Sequence, residues 1–114
     1  MRVYKILTTP QLEALRAEGS TLGAPIDLRD GYVHLSAEDQ VAGTLALHFQ
    51  GQSGLWVLGV DADALGDALR WEPSRGGALF PHLYGPLLLS AVRSVVAVDD
   101  PGVTVPGRGG PQPS

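Results

Sequence analysis

Cysteine is absent from this 114-residue chain. Disulfides, zinc–thiolate centres, iron–sulfur clusters and a thiol nucleophile are thereby excluded. Lysine is nearly absent too: Lys5 is the only one, and Lys and Arg nowhere cluster. With 8 basic against 12 acidic residues, the formal net charge is -4. A surface of that sign repels phosphate backbones at long range, which disfavours general nucleic-acid binding but leaves room for a local anion pocket built on one arginine. No apolar run approaches the ~20 residues that span a bilayer. The opening Met1-Arg2-Val3-Tyr4-Lys5 holds no long apolar signal segment. These absences lead to the expectation of a cytoplasmic protein that does not enter a membrane.

Hydrophobic residues make up 44% of the chain, a normal globular share and enough for one modest core. The expected organisation is a single α+β domain over residues 1–99. A tail over 100–114 follows, with four prolines and four glycines from Pro101 on. Such a composition buries too little apolar surface to offset ordering, so the expectation is a flexible tail.

Local patterns predict the elements. Val3 to Leu7 reads as a strand, and Thr9 with Pro10 opens a helix over about 10–18 that Gly19 stops. Residues 20–31 read as loop, with Asp30-Gly31 a turn. A strand over 32–36 follows. Ser36, three residues before Asp39, is expected to cap a helix running to about Phe49. Leu55 to Val60 reads as a central strand, 62–69 as one or two helical turns and 70–72 as a short strand. Residues 73–77 read as a glycine-rich loop, 81–86 as irregular, 87–91 as a helical turn and 93–98 as a closing strand.

Two regions concentrate chemistry. Alternation in the strand at 32–36 puts Tyr32, His34 and Ser36 on one face and Val33 and Leu35 on the other. An imidazole titrates near neutral pH, and the helix start beside Ser36 offers N–H groups suited to a phosphate or carboxylate, with Gln40 in reach. The plainer alternative is a histidine hydrogen-bonded to backbone. The second region, from Arg70 to Gly85, gathers Trp71, Glu72, Ser74, Arg75, His82 and Tyr84 around Gly76-Gly77. Arg75 suits a phosphate, Trp71 or Tyr84 a flat ring, and Glu72 a general base or a ribose hydroxyl. Here the plainer alternative is an ordered loop in which Arg75 pairs with Glu72. The GxGxxG and GxxxxGK[ST] phosphate loops are absent, and His34, His48 and His82 lack compact metal spacing, so no metal site is expected. His48, near the end of its helix, reads as a favourable terminal charge or a surface residue.

Asp27 through Gln40, with Asp30-Gly31-Tyr32-Val33-His34-Leu35-Ser36 at its centre, resembles the signature of the bacterial domain-of-unknown-function family 952. So do the opening Val3-Tyr4-Lys5-Ile6-Leu7 and the run from Arg70-Trp71-Glu72 through Ser74-Arg75-Gly76-Gly77 to Phe80-Pro81-His82-Leu83-Tyr84-Gly85. The matches span about residues 2 to 98, with Leu12 where the family often places tryptophan. The resemblance implies a fold similar to the ADP-ribosyltransferases, a split mixed or antiparallel sheet with short helices whose cleft binds nicotinamide adenine dinucleotide (NAD). It implies a ribose-contacting role for His34 and a stacking role for Tyr84, with Glu72 the available acid. Three functions then compete: a transferase of ADP-ribosyl type, a non-catalytic module for a nucleotide or small acid, and a protein-interaction or structural domain. The first two require both regions to share one cleft.

Overall fold

The computed structural model describes residues 1–99, and at Arg75 the backbone but not the side chain. The tail expected over 100–114 lies outside the described residues. Strand β1 (Arg2–Thr8) leads into helix α1 (Thr9–Glu18), then the two-residue strand β2 (Ser20–Thr21), helix α2 (Pro25–Asp30) and strand β3 (Val33–His34). A 3-10 turn over Glu38–Gln40 opens helix α3 (Val41–His48). Strand β4 (Leu55–Asp61), the short helix α4 (Ala62–Leu65) and strand β5 (Leu69–Pro73) follow. Strands β6 (Leu79–Leu83), β7 (Leu87–Leu88) and β8 (Val92–Ala97) complete the α+β fold.

The strands form three sheets, ordered β1-β4-β8, β2-β7 and β3-β6-β5, with every ladder antiparallel among the described residues. β4 is central in the first, as its apolar run predicts, and both of its faces are covered. Tyr4, Ile6, Leu55 and Val57 pack with Val41 and Leu45 of α3. Leu7 and Leu58 pack with Leu12 and Leu15 of α1. Val3 and Val60 pack with Val33, Leu35, Leu83 and Leu87, which joins the first sheet to the third. Each fully buried leucine here contributes about 1.5–3 kcal/mol relative to exposure. Val33 and Leu35 enter this core as the alternation along 32–36 predicts. A bridge from Tyr4 to Ser36 then ties the end of that segment to β1.

Four expectations are corrected. The cap of α1 is Thr8, not Thr9: its side chain accepts from Gln11 N while Gln11 Oε1 accepts from Thr8 N at 2.9 Å. Thr9 Oγ1 instead accepts from Trp56 Nε1 and donates to the Gly54 carbonyl. Residues 20–31 are not all loop, because Pro25–Asp30 is helical and Gly31 ends it at φ 84, a left-handed conformation open to glycine. Ser36 does not cap the following helix. That place belongs to Ala37, whose N–H donates to Gln40 Oε1 at 2.9 Å. Residues 81–86 are not irregular throughout, since Pro81 lies inside β6. The Pro81 carbonyl accepts from Leu35 N at 3.0 Å; the amide proline lacks would face the same side, just where β3 stops.

Candidate functional site

The site is organised by Asp27, a residue of α2 that is 1% exposed. Pro25 at the helix start has no N–H to satisfy, and Asp27 in the first turn reaches back to accept from Ala24 N at 2.7 Å. The same oxygen, Oδ2, accepts from Lys5 Nζ at 2.7 Å. Oδ1 takes the His34 backbone N–H at 2.9 Å and faces His34 Nδ1 at 2.5 Å. Burial pushes this carboxyl up, but the Lys5 charge and the donors from Lys5 and His34 outweigh it and hold the group below the usual carboxylate range. Lys5 is itself buried, and burial pulls its ammonium below the ordinary lysine range against the opposing pull of Asp27. Its second acceptor is the His34 carbonyl, at 3.1 Å.

His34 and His82 stand opposite each other in the β3–β6 ladder, with ring centroids 5.5 Å apart. Their surroundings differ. His34 faces Asp27 through Nδ1 and Asp30 Oδ2 through Nε2, at 3.1 Å. His82 is buried, and its Nδ1 lies 2.8 Å from Glu72 Oε1. That oxygen also accepts from Tyr84 OH at 2.7 Å. The hydrogen bonds from Tyr84 and then His82 hold Glu72 below the usual carboxylate range, and the bond to Glu72 raises Tyr84. The Tyr32 ring packs against both histidines and Tyr84, at centroid distances of 4.6, 4.2 and 5.2 Å. Arg70 covers the Tyr84 ring at 5.3 Å.

A cavity of about 430 Å³ lies beside this cluster. Its apolar wall includes Tyr4, Ile6, Phe49 and Phe80, and its polar wall includes Lys5 and Asp27. Of the residues the sequence singles out, His34, Ser36, Ser74 and His82 line it. The two chemistry-bearing regions therefore share one concave surface. Trp71, Glu72 and Tyr84 stand outside the lining: Glu72 turns to His82 and Tyr84, and Trp71 is 38% exposed. Gln40 is occupied by Ala37 N and by the Leu79 carbonyl, which its Nε2 reaches at 2.7 Å. The Arg75 side chain lies outside the described residues. Ser36 is buried, with Oγ 3.3 Å from Thr44 Oγ1. The helix start beyond it carries Glu38 and Asp39 in its first turn, an unfavourable charge for a phosphate.

Lys5, Asp27 and His48 are among the lining residues that escaped the sequence reading as site residues. Lys5 carries a signal: a lone lysine among Val3, Tyr4, Ile6 and Leu7 must find a buried partner. Asp27 carries another, as an acid two residues after a helix-starting proline. His48, read as a terminal charge, lines the cavity from the end of α3. Among the described residues, no group of three or more histidines and carboxylates is placed to hold a metal ion, and no helix is long and apolar enough to cross a membrane.

The chain is 46% identical to protein CC0527 from Caulobacter crescentus in its crystal structure, with a TM-score of 0.84 and 93% of each chain covered. The solution NMR structure of CC0527 gives 47% identity and a TM-score of 0.77, covering 89% of this chain and 88% of that one. No curated protein matches the chain. Residues 6–95 match the family described as "Protein of unknown function (DUF952)". With a match over most of its length, the chain belongs to the DUF952 family.

Proposed function

We propose that this is a cytoplasmic small-molecule-binding protein whose ligand occupies the cavity beside Asp27, with NAD or an ADP-ribose-like nucleotide as the leading candidate. The observation that carries the reading is the convergence of His34, Ser36, Ser74 and His82, from two separated stretches of chain, on one cavity of about 430 Å³. That volume lies in the range of small-molecule sites, about 300–1,000 Å³, and the mixture of aromatic walls with a few polar groups is their usual character. The nucleotide choice rests on the ADP-ribosyltransferase-like architecture that the family resemblance implies, which is an analogy of fold.

Binding is favoured over transfer. Glycosyl transfer passes through an oxocarbenium-like state that a carboxylate stabilises. The cavity's carboxylate, Asp27, already accepts from Lys5, Ala24 and His34, and Glu72 stands outside the lining. Calorimetric titration with NAD and ADP-ribose tests the reading. A saturable heat is expected in the wild type, abolished by Ser74→Trp at the cavity wall and retained by Trp71→Ala outside it. Absence of saturable heat with either nucleotide at millimolar concentration overturns the nucleotide assignment.

A further inference from the structure

Two of the histidines that line the cavity, His34 and His82, are held in different ways, and the difference assigns them different work. Each nitrogen of His34 faces a carboxylate oxygen, Asp27 at Nδ1 and Asp30 at Nε2. A ligand meeting that ring must first displace an acid. His82 has a carboxylate at Nδ1 alone, and Nε2 has no hydrogen-bond partner among the described residues. A carboxylate accepts and cannot donate, so Glu72 selects the ring form that carries its proton on Nδ1. In the neutral ring, Nε2 is then a bare acceptor.

Glu72 lies outside the cavity lining and His82 within it. Glu72 reaches His82 diagonally, since Arg70 pairs with His82 and Glu72 with Phe80 in the β5–β6 ladder. Tyr84 fixes the carboxylate by donating to the oxygen that faces His82. Tyr32 packs 4.2 Å from the His82 ring. The imidazole is thus held from outside by a carboxylate and packed by an aromatic ring, with one ring nitrogen left over. Orienting partners of this kind commonly determine which histidine nitrogen meets a ligand.

We infer that His82 Nε2 is a hydrogen-bond acceptor of the cavity and recognises a hydroxyl or N–H group on the ligand, with Glu72 as its positioning residue. The inference rests on the reading of the cavity as a ligand site and names the chemistry that site requires. The ligand presents a donor at His82, as a sugar hydroxyl or an amide does, and the neutral ring refuses a ligand bearing only acceptors at that end.

Two measurements on the full chain decide it without any nucleotide. Imidazole nitrogen NMR of histidine-labelled protein should show neutral His82 protonated on Nδ1 and bare on Nε2. In Glu72→Ala, where Glu72 is partly exposed and its removal opens no core cavity, that preference should be lost. A wild-type His82 protonated on Nε2 overturns the inference. Diethyl pyrocarbonate, which acylates bare imidazole nitrogen, should modify His82 several-fold faster than His34. Side-chain exposure alone predicts the reverse, at 4% for His82 against 30% for His34. Faster reaction at His34 contradicts the assignment. Adding ADP-ribose separates the two readings: bound nucleotide should shift the His82 Nε2 resonance and protect it from acylation. Binding that leaves Nε2 unmoved overturns this inference alone. Absence of binding overturns the nucleotide assignment alone, and the ring-form and acylation results still decide the inference.

Discussion

Lys5 Nζ lies 2.7 Å from Asp27 Oδ2, and both side chains are withdrawn from solvent, at 7% and 0% exposure. This pair links β1 to α2, and through the His34 carbonyl and ring it links both to β3. Removing one partner of a buried ion pair leaves an uncompensated charge and costs about 3–5 kcal/mol. Asp27→Ala and Lys5→Met should each lower stability by about that amount. The double variant should be destabilised by less than their sum, because the second change removes the orphaned charge. Urea unfolding of the four proteins measures this, and strictly additive losses contradict it.

The acid limb of stability follows from the same carboxylate. The folded Asp27 pKa lies below its unfolded value of about 3.9. Between the two values the unfolded chain binds the extra proton, so stability rises with pH there. Asp27 therefore contributes fully above about pH 3.9, and its contribution is lost as pH falls through the lower folded value. In Asp27→Asn the slope of stability against pH in this acid window should be shallower than in the wild type. Equal slopes in the two proteins contradict the assignment.

Gly23 has a reason to be glycine that Gly31 lacks. Both have positive φ, 98° and 84°, so a side chain strains the backbone at either position. At Gly31 an added Cβ meets open space, whereas at Gly23 it runs into the Asp27 side chain. Gly31→Ala should cost about 1 kcal/mol in backbone strain. Gly23→Ala should cost more and should also perturb the His34 resonances through Asp27. Equal losses measured by thermal unfolding contradict a cradle for Asp27 at Gly23.

Gln40 joins the start of α3 to β6 through Ala37 N and the Leu79 carbonyl. Gln40→Ala removes a cap and a cross-element hydrogen bond, a loss of about 1–2 kcal/mol. Hydrogen exchange at the Ala37 amide should accelerate while exchange in β4 changes only with global stability. An unchanged Ala37 rate is the contrary outcome.

The sequence made the main frame legible because its signals are local. Apolar runs marked β1 and β4, Gly19 marked the end of α1, and alternation sent Val33 and Leu35 inward. Helix α2 stayed hidden because it is six residues long and flanked by Gly23 and Gly31, so its turn residues outweighed any periodicity. Strand β6 stayed hidden because Pro81 argues against a central strand until the end of β3 is known. At the site, His34 and His82 were visible by residue type. The Lys5–Asp27 pair was not, because its members come from separate elements 22 residues apart. Nor does composition show that Glu72 grips His82 from outside the cavity; that depends on the β5–β6 register.

The central claim is that two separated stretches of chain build one ligand site. Amide chemical-shift mapping during titration with ADP-ribose tests it most directly. The account predicts saturable shifts confined to the cavity wall, at Ile6, Ser36, Ser74, Phe80 and His82, with the distant face of α1 unmoved. Saturable shifts centred elsewhere on the molecule, or none at millimolar nucleotide, contradict it.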